Sequence, residues 1–138
     1  MAKNILLLNG PNLNMLGKRD PVLYGDITLK KVEAACEELA EKHGMKLNSE
    51  QTNYEGKLVE LIHEARETSD AIIINPGAYS HTSVAIFDAL EMFEGPIVEV
   101  HISNIHKRES FRHYSYVSQR ADSAVSYTHL RAHETIPD

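Results

Sequence analysis

Cysteine is almost missing from this chain: Cys36 is the single one among 138 residues. One thiol can make neither an internal disulfide nor a zinc site by itself, so crosslinking and a thiolate metal centre are both excluded as supports of the fold. Basic charge is also scarce, with 14 Lys and Arg against 20 Asp and Glu, and no basic run occurs. A phosphate backbone would find little to bind, which argues against a nucleic-acid partner. Long apolar runs are absent as well. Ile5–Leu8 and Ala71–Ile74 fall far below the roughly 20 residues that span a bilayer, which argues against a membrane partner. Met1–Asn4 enters the first of these runs without a secretory-type segment. No Gly-x-Gly-x-x-Gly turn follows that run, which speaks against a nucleotide or flavin binder. Repeats, low-complexity stretches and linkers are lacking too. The remaining space is a cytoplasmic, single-domain enzyme or binding protein, with 42% apolar residues as material for a core.

What is present alternates between two periodicities. Ile5 to Leu8 and Ala71 to Asn75 read as strands buried on both faces, each halted by a Gly-Pro or Pro-Gly pair. Met45–Ser49 and Ile97–Val100 are shorter strand candidates. Between them, Leu29, Val32, Ala35, Cys36, Leu39 and Ala40 recur at helical spacing, with Thr28 as N-cap and Gly44 as stop. Leu58, Leu61, Ile62 and Ala65 mark a second helix. Val84, Ile86, Phe87, Leu90 and Phe93 mark a third, ended by Gly95-Pro96, and 104–109 can start a short one. Strands alternating with helices predict an α/β fold, a doubly wound parallel sheet of the flavodoxin-like kind with helices on both faces.

In such sheets ligands bind beyond the carboxyl ends of the strands. Three of those ends are polar here: Asn9-Gly10-Pro11-Asn12, Asn75-Pro76-Gly77-Ala78-Tyr79-Ser80-His81, and Glu99-Val100-His101-Ile102-Ser103-Asn104. Turn punctuation accounts for Asn9 or Pro76, but a strand end requires neither a carboxylate nor an imidazole. Glu99 and His101 are two apart, so a strand points both to one face. A carboxylate favours the protonated imidazole and orients it, which suits a general acid. An ion pair at a sheet edge is the alternative reading. The loop from Leu13 to Gly25 is long for a βα connection, as active-site lids are. It carries Arg19 and Tyr24. A guanidinium near a phenol would depress its ordinary pKa of about 10 and let it act as a base; surface residues are the plainer reading.

Several segments together resemble the type II 3-dehydroquinate dehydratase family: residues 8–14, 17–25, 51–56 (Gln-Thr-Asn-Tyr-Glu-Gly), 74–83, 99–104 and 108–113. The agreement is in order and covers about residues 4–122. The resemblance implies a flavodoxin-like fold and a lyase that needs no cofactor and no metal. The reaction is anti dehydration of 3-dehydroquinate to 3-dehydroshikimate through an enolate, in the shikimate pathway. By residue-wise correspondence Tyr24 is the base for the C2 proton and Arg19 the lid arginine that activates it. Asn12 helps stabilise the enolate through a water, and His101, held by Glu99, is the acid. Asn75, Ile102 and Ser103 correspond to carboxylate and ring contacts. His81, Asp88 and Arg112 correspond to groups around the substrate hydroxyls, Asp88 coming from a neighbouring subunit of a trimer. Trimers of the family assemble into dodecamers.

From residue 123 the sequence departs from the family pattern, whose members continue with a Gly-rich strand and a closing helix. Residues 123–138 read as a non-native tail, like the appended end of a truncated gene, with Ser123–Ser126 at most a stump of the strand. The expectation is therefore a domain over 1–122 with its final strand and closing helix missing or replaced. The rival readings are a non-catalytic flavodoxin-like binding module and an inactive truncated form of the enzyme. Cys36 is read as a buried small hydrophobe, His43 as a helix-end contact and His63 as surface. His106 and His113 receive no catalytic step, and His129 and His133 are a chance spacing.

Overall fold

The structure is a computed structural model and describes residues 2–18, 27–102 and 109–126. Five strands form one parallel sheet in the order β2-β1-β3-β4-β5. They are β1 (Lys3–Asn9), β2 (Met45–Gln51), β3 (Ala71–Asn75), β4 (Ile97–His101) and β5 (Ser123–Ser126). The helices are α1 (Leu29–Lys42), α2 (Glu55–Thr68) and α3 (Val84–Glu91). The type of β1–β4 and α1–α3 thus follows the sequence pattern, and β3 has the expected bounds.

Residues two apart along a strand share a face with each other and with their register partners, so the register divides the sheet cleanly. Leu6, Leu8, Ile72, Ile74 and Ile97 point to one side. There they pack against Leu58, Leu61, Ile62 and Ala65 of α2, Ile86, Ala89 and Leu90 of α3, and Phe93 and Val117. Leu7 and Ala40 are buried apart from that cluster, where α1 lies along β2. The local signals behave as read. Thr28 Oγ1 accepts from the Lys31 N–H at 3.3 Å, and Gly44, at φ +74°, turns the chain out of α1. Phe93 lies beyond α3, which ends at Glu91, yet is buried by a following turn.

Two expectations change. The Leu13–Gly25 loop begins with a 3₁₀ turn, Leu13–Met15, whose Leu13 and the following Leu16 are buried; apolar anchors tie its start to the body. The final strand, expected to be missing, replaced or at most a stump, is a four-residue strand, because Ser123–Ser126 pair in parallel with Val98–His101. The cause lies just upstream. Asp122 exchanges two bonds with Ile97, its N–H to the Ile97 carbonyl and its carboxylate from the Ile97 N–H, both 2.8 Å. Asp70 does the same to Asn4 at the start of β3, both at 2.7 Å. A carboxylate gripping the neighbouring strand sets the ladder register, and an edge strand needs backbone bonds more than apolar side chains. The closing-helix expectation lies outside the described residues, as do all but Glu109 of the short helix over 104–109 and His129 and His133.

Candidate active site

The sheet order reverses at β1: the chain leaves β1 for β2 on one side and returns to β3 on the other. The carboxyl ends of β1 and β3 flank this switch point, where open α/β sheets bind ligands. Gly10 makes the close approach possible. Its N–H donates to the Asn75 carbonyl at 2.8 Å, and a Cβ there would sit 2.7 Å from the Pro76 oxygen. Asn12 follows in the left-handed region at φ 71°. Its N–H donates to Asn53 Oδ1 at 2.9 Å, and that oxygen also receives Gln51 Nε2. The Tyr79 hydroxyl donates to the Asn53 carbonyl at 3.0 Å. The loop after β2 therefore braces the loops after β1 and β3. Asn75 is buried, with its Oδ1 accepting from the Gly77 N–H.

At the end of β4 the carboxylate and the imidazole share one face as the alternation requires. Glu99 Oε2 and His101 Nε2 are 2.5 Å apart, and both residues are buried. Glu99 also receives the Ser115 hydroxyl on Oε2 at 2.6 Å and the Ser118 hydroxyl on Oε1. Burial raises the Glu99 carboxyl, but the bonds from His101, Ser115 and Ser118 and the nearby imidazole outweigh it and leave it below the ordinary value. Fully buried on an interior strand and bonded to three donors that favour its ionised form, Glu99 does not fit the reading of the pair as an ion pair at a sheet edge.

His81 stacks on His101, with centroids 6.3 Å apart and planes at 21°. Its Nδ1 lies 2.8 Å from the Tyr114 carbonyl. A carbonyl only accepts, so Nδ1 carries the hydrogen and Nε2 is left as acceptor in the neutral ring. Burial lowers the His81 pKa, and the positive charges of His101 and Arg112 add to that against the Tyr114 bond and Glu99. Arg112, in the turn Ser110–Arg112, is bonded to Glu109 at 2.7 Å.

The structure thus gathers Asn12 and Asn75 at the switch point and Glu99, His101, His81 and Arg112 beside β4, with half-buried Ile102 just after the strand. Asp88 stands apart, exposed on α3. Arg19, Tyr24 and Ser103 lie outside the described residues. Cys36 is half-buried rather than buried, and burial, then Glu33 and Glu37, pushes its thiol up, away from reactivity. Among the described residues no group of three His, Cys, Asp or Glu is placed to hold a metal ion.

A family profile described as dehydroquinase class II matches residues 3–135. The chain belongs to that family. It is 54% identical to a 3-dehydroquinate dehydratase of Cereibacter sphaeroides over 134 residues, 97% of this chain and 91% of the relative. Identity to one from Streptomyces coelicolor is 61% over 123 residues, 88% and 78% of the two chains. The crystal structure of a type II dehydroquinase from Propionibacterium acnes superposes with a TM-score of 0.90 at 41% identity, covering 97% of this chain and 92% of that one. The class II dehydroquinase match extends past residue 122, so β5 lies within it. Sequence reasoning singled out neither Ser115 nor Ser118 for this site. Their only signal is a spacing of three in a stretch without periodicity, and their partner lies 16 and 19 residues away.

Proposed function

We propose that this class II dehydroquinase is a lyase that dehydrates 3-dehydroquinate to 3-dehydroshikimate, a step of the shikimate pathway. The observation that carries the reading is the buried, triply bonded Glu99 behind His101 at the sheet's ligand-binding edge. The C2 proton of the substrate is acidic because its loss places charge on the neighbouring ketone oxygen as an enolate. Tyr24, its phenol activated by Arg19, takes that proton. Asn12, held by Asn53, stabilises the enolate through a water. Collapse of the enolate forms the C1–C2 double bond, re-forms the ketone and breaks the C1–O bond on the opposite face. His101 gives its proton to the departing hydroxyl, which leaves as water, and Glu99 compensates the imidazolium charge until then. No electrons are gained or lost overall, so the reaction requires no redox partner.

Asn75, Ile102 and Ser103 take the carboxylate and ring, while His81 and Arg112 take the hydroxyls. The neutral Nε2 of His81 suits a substrate O–H donor. Asp88, exposed on α3, completes the site of a neighbouring subunit in a trimer, and trimers assemble into a cytoplasmic dodecamer. Residues 1–122 carry all these groups, and Ser123–Ser126 add the β5 edge. Adding 3-dehydroquinate and following the ultraviolet absorbance of the conjugated enone tests the reading. Growth of the band is expected. A flat trace with retained binding of a substrate analogue would instead favour a binding module or an inactive form.

A further inference from the structure

Glu99 is fully buried, and an ionised carboxylate in that position persists only where hydrogen bonds replace its water. His101 supplies one of them. The others come from a segment that no part of the proposed chemistry uses. Val117, also fully buried, anchors the 3₁₀ turn Val117–Gln119 in the core. The Tyr116 N–H donates to the Ser80 carbonyl at 2.7 Å and ties the same segment to the turn that carries His81. Between these anchors Ser115 and Ser118 meet the two oxygens of one carboxylate. The plainer account makes Ser115 a turn-former, since its Oγ accepts from the Ser118 N–H at 3.3 Å. That explains its lone pair and leaves both hydroxyl hydrogens, each directed at Glu99, without a reason.

We propose that Ser115 and Ser118 are positioning residues for the acid step, clamping both oxygens of Glu99 so that it presents a fixed acceptor to the His101 ring. The inference rests on His101 as general acid. The charged and titratable groups around the pair are His81 stacked on His101 and, through His81, Arg112; both are cationic or can become so. Among the described residues Glu99 is the carboxylate bonded to His101, while Glu109 pairs with Arg112, so the ionisation of Glu99 decides whether an imidazolium is tolerated. With both hydroxyls removed, burial acts on Glu99 against a single donor, and its protonated form gains.

The test uses the full chain with Ser115→Ala and Ser118→Ala, singly and together, and two readouts. The first is the infrared band of the protonated Glu99 carboxyl followed against pH, assigned by its loss in Glu99→Gln. The second is steady-state kinetics. The double variant should show the band at higher pH than the parent and lose about tenfold or more in kcat, the worth of a hydrogen bond to a charged group. KM should stay within about twofold, because both hydroxyls are spent on Glu99 and neither serine is among the groups assigned to the substrate. Ser118→Ala, at an exposed position, should move both readouts in the same direction, and Ser118→Thr should restore them. An unmoved band in folded Ser118→Ala and Ser115→Ala, even with a lower melting temperature, would mean a structural role and overturn the proposal. If the parent makes no enone while the substitutions still move the band, the serine–Glu99 coupling stands and the dehydratase reading falls.

Discussion

At Glu99 burial and hydrogen bonding pull in opposite directions, and the bonds prevail. A carboxyl whose folded pKa lies below its unfolded value adds stability above the unfolded value, here near 4.5, and loses it as pH falls through the folded one. Glu99→Gln should therefore melt below the parent at neutral pH, with the gap closing as pH drops below about 4.5. A constant gap in calorimetric scans across that range would contradict an ionised Glu99. The base is tested at its own residue. Tyr24→Phe keeps the ring and removes the phenolate, so kcat should fall by about 10² to 10⁴ while a substrate analogue still binds. Most of the activity surviving would remove Tyr24 from the role. Strand alternation made the Glu99–His101 pair legible in sequence. It could not reveal the serine clamp, because contacts across 16 and 19 residues leave no local period.

Between elements the decisive contacts are backbone to backbone. β1 and β3 end so close that residue 10 must lack a Cβ, which would lie 2.7 Å from one Pro76 atom and 2.9 Å from another. Gly10→Ala must push the loops apart or shift a strand, at about 1–3 kcal/mol by the usual cost of overpacking. Denaturant midpoints measure that cost. Catalysis should drop further than stability, since Asn12 and Asn75 move with those loops. The Gly-Pro and Pro-Gly pairs were readable as strand stops; that they touch each other was not. The fifth strand is the converse case. Its side chains, Ser-Ala-Val-Ser, signal little, and Asp122 places it through two backbone-directed bonds.

Across the described residues the two sheet faces differ in burial. Ile72, Ile74 and Ile97 are fully buried under α2 and α3, while Ile73, Val98, Val100 and Val125, facing the other way, are only half-buried. Apolar surface of that kind gains from added cover. A version whose residues after 122 are replaced by a Gly-rich strand and closing helix of the family type should have a higher melting temperature and a larger dodecamer fraction by native mass spectrometry. Equal values for both versions would show that the tail carries no deficit. The sequence by itself determined the α/β class, the parallel strands and the polar strand ends, since periodicity and turn residues act over a few neighbours and are written locally; the family was legible in the resemblance of several motif segments in order. Only the tertiary structure decided that β5 joins the sheet, that Asn53 braces Asn12, and that two serines satisfy a buried carboxylate. Those depend on which residues a sheet brings together from distant parts of the chain, and hydrogen-bond geometry across such distances has no local code.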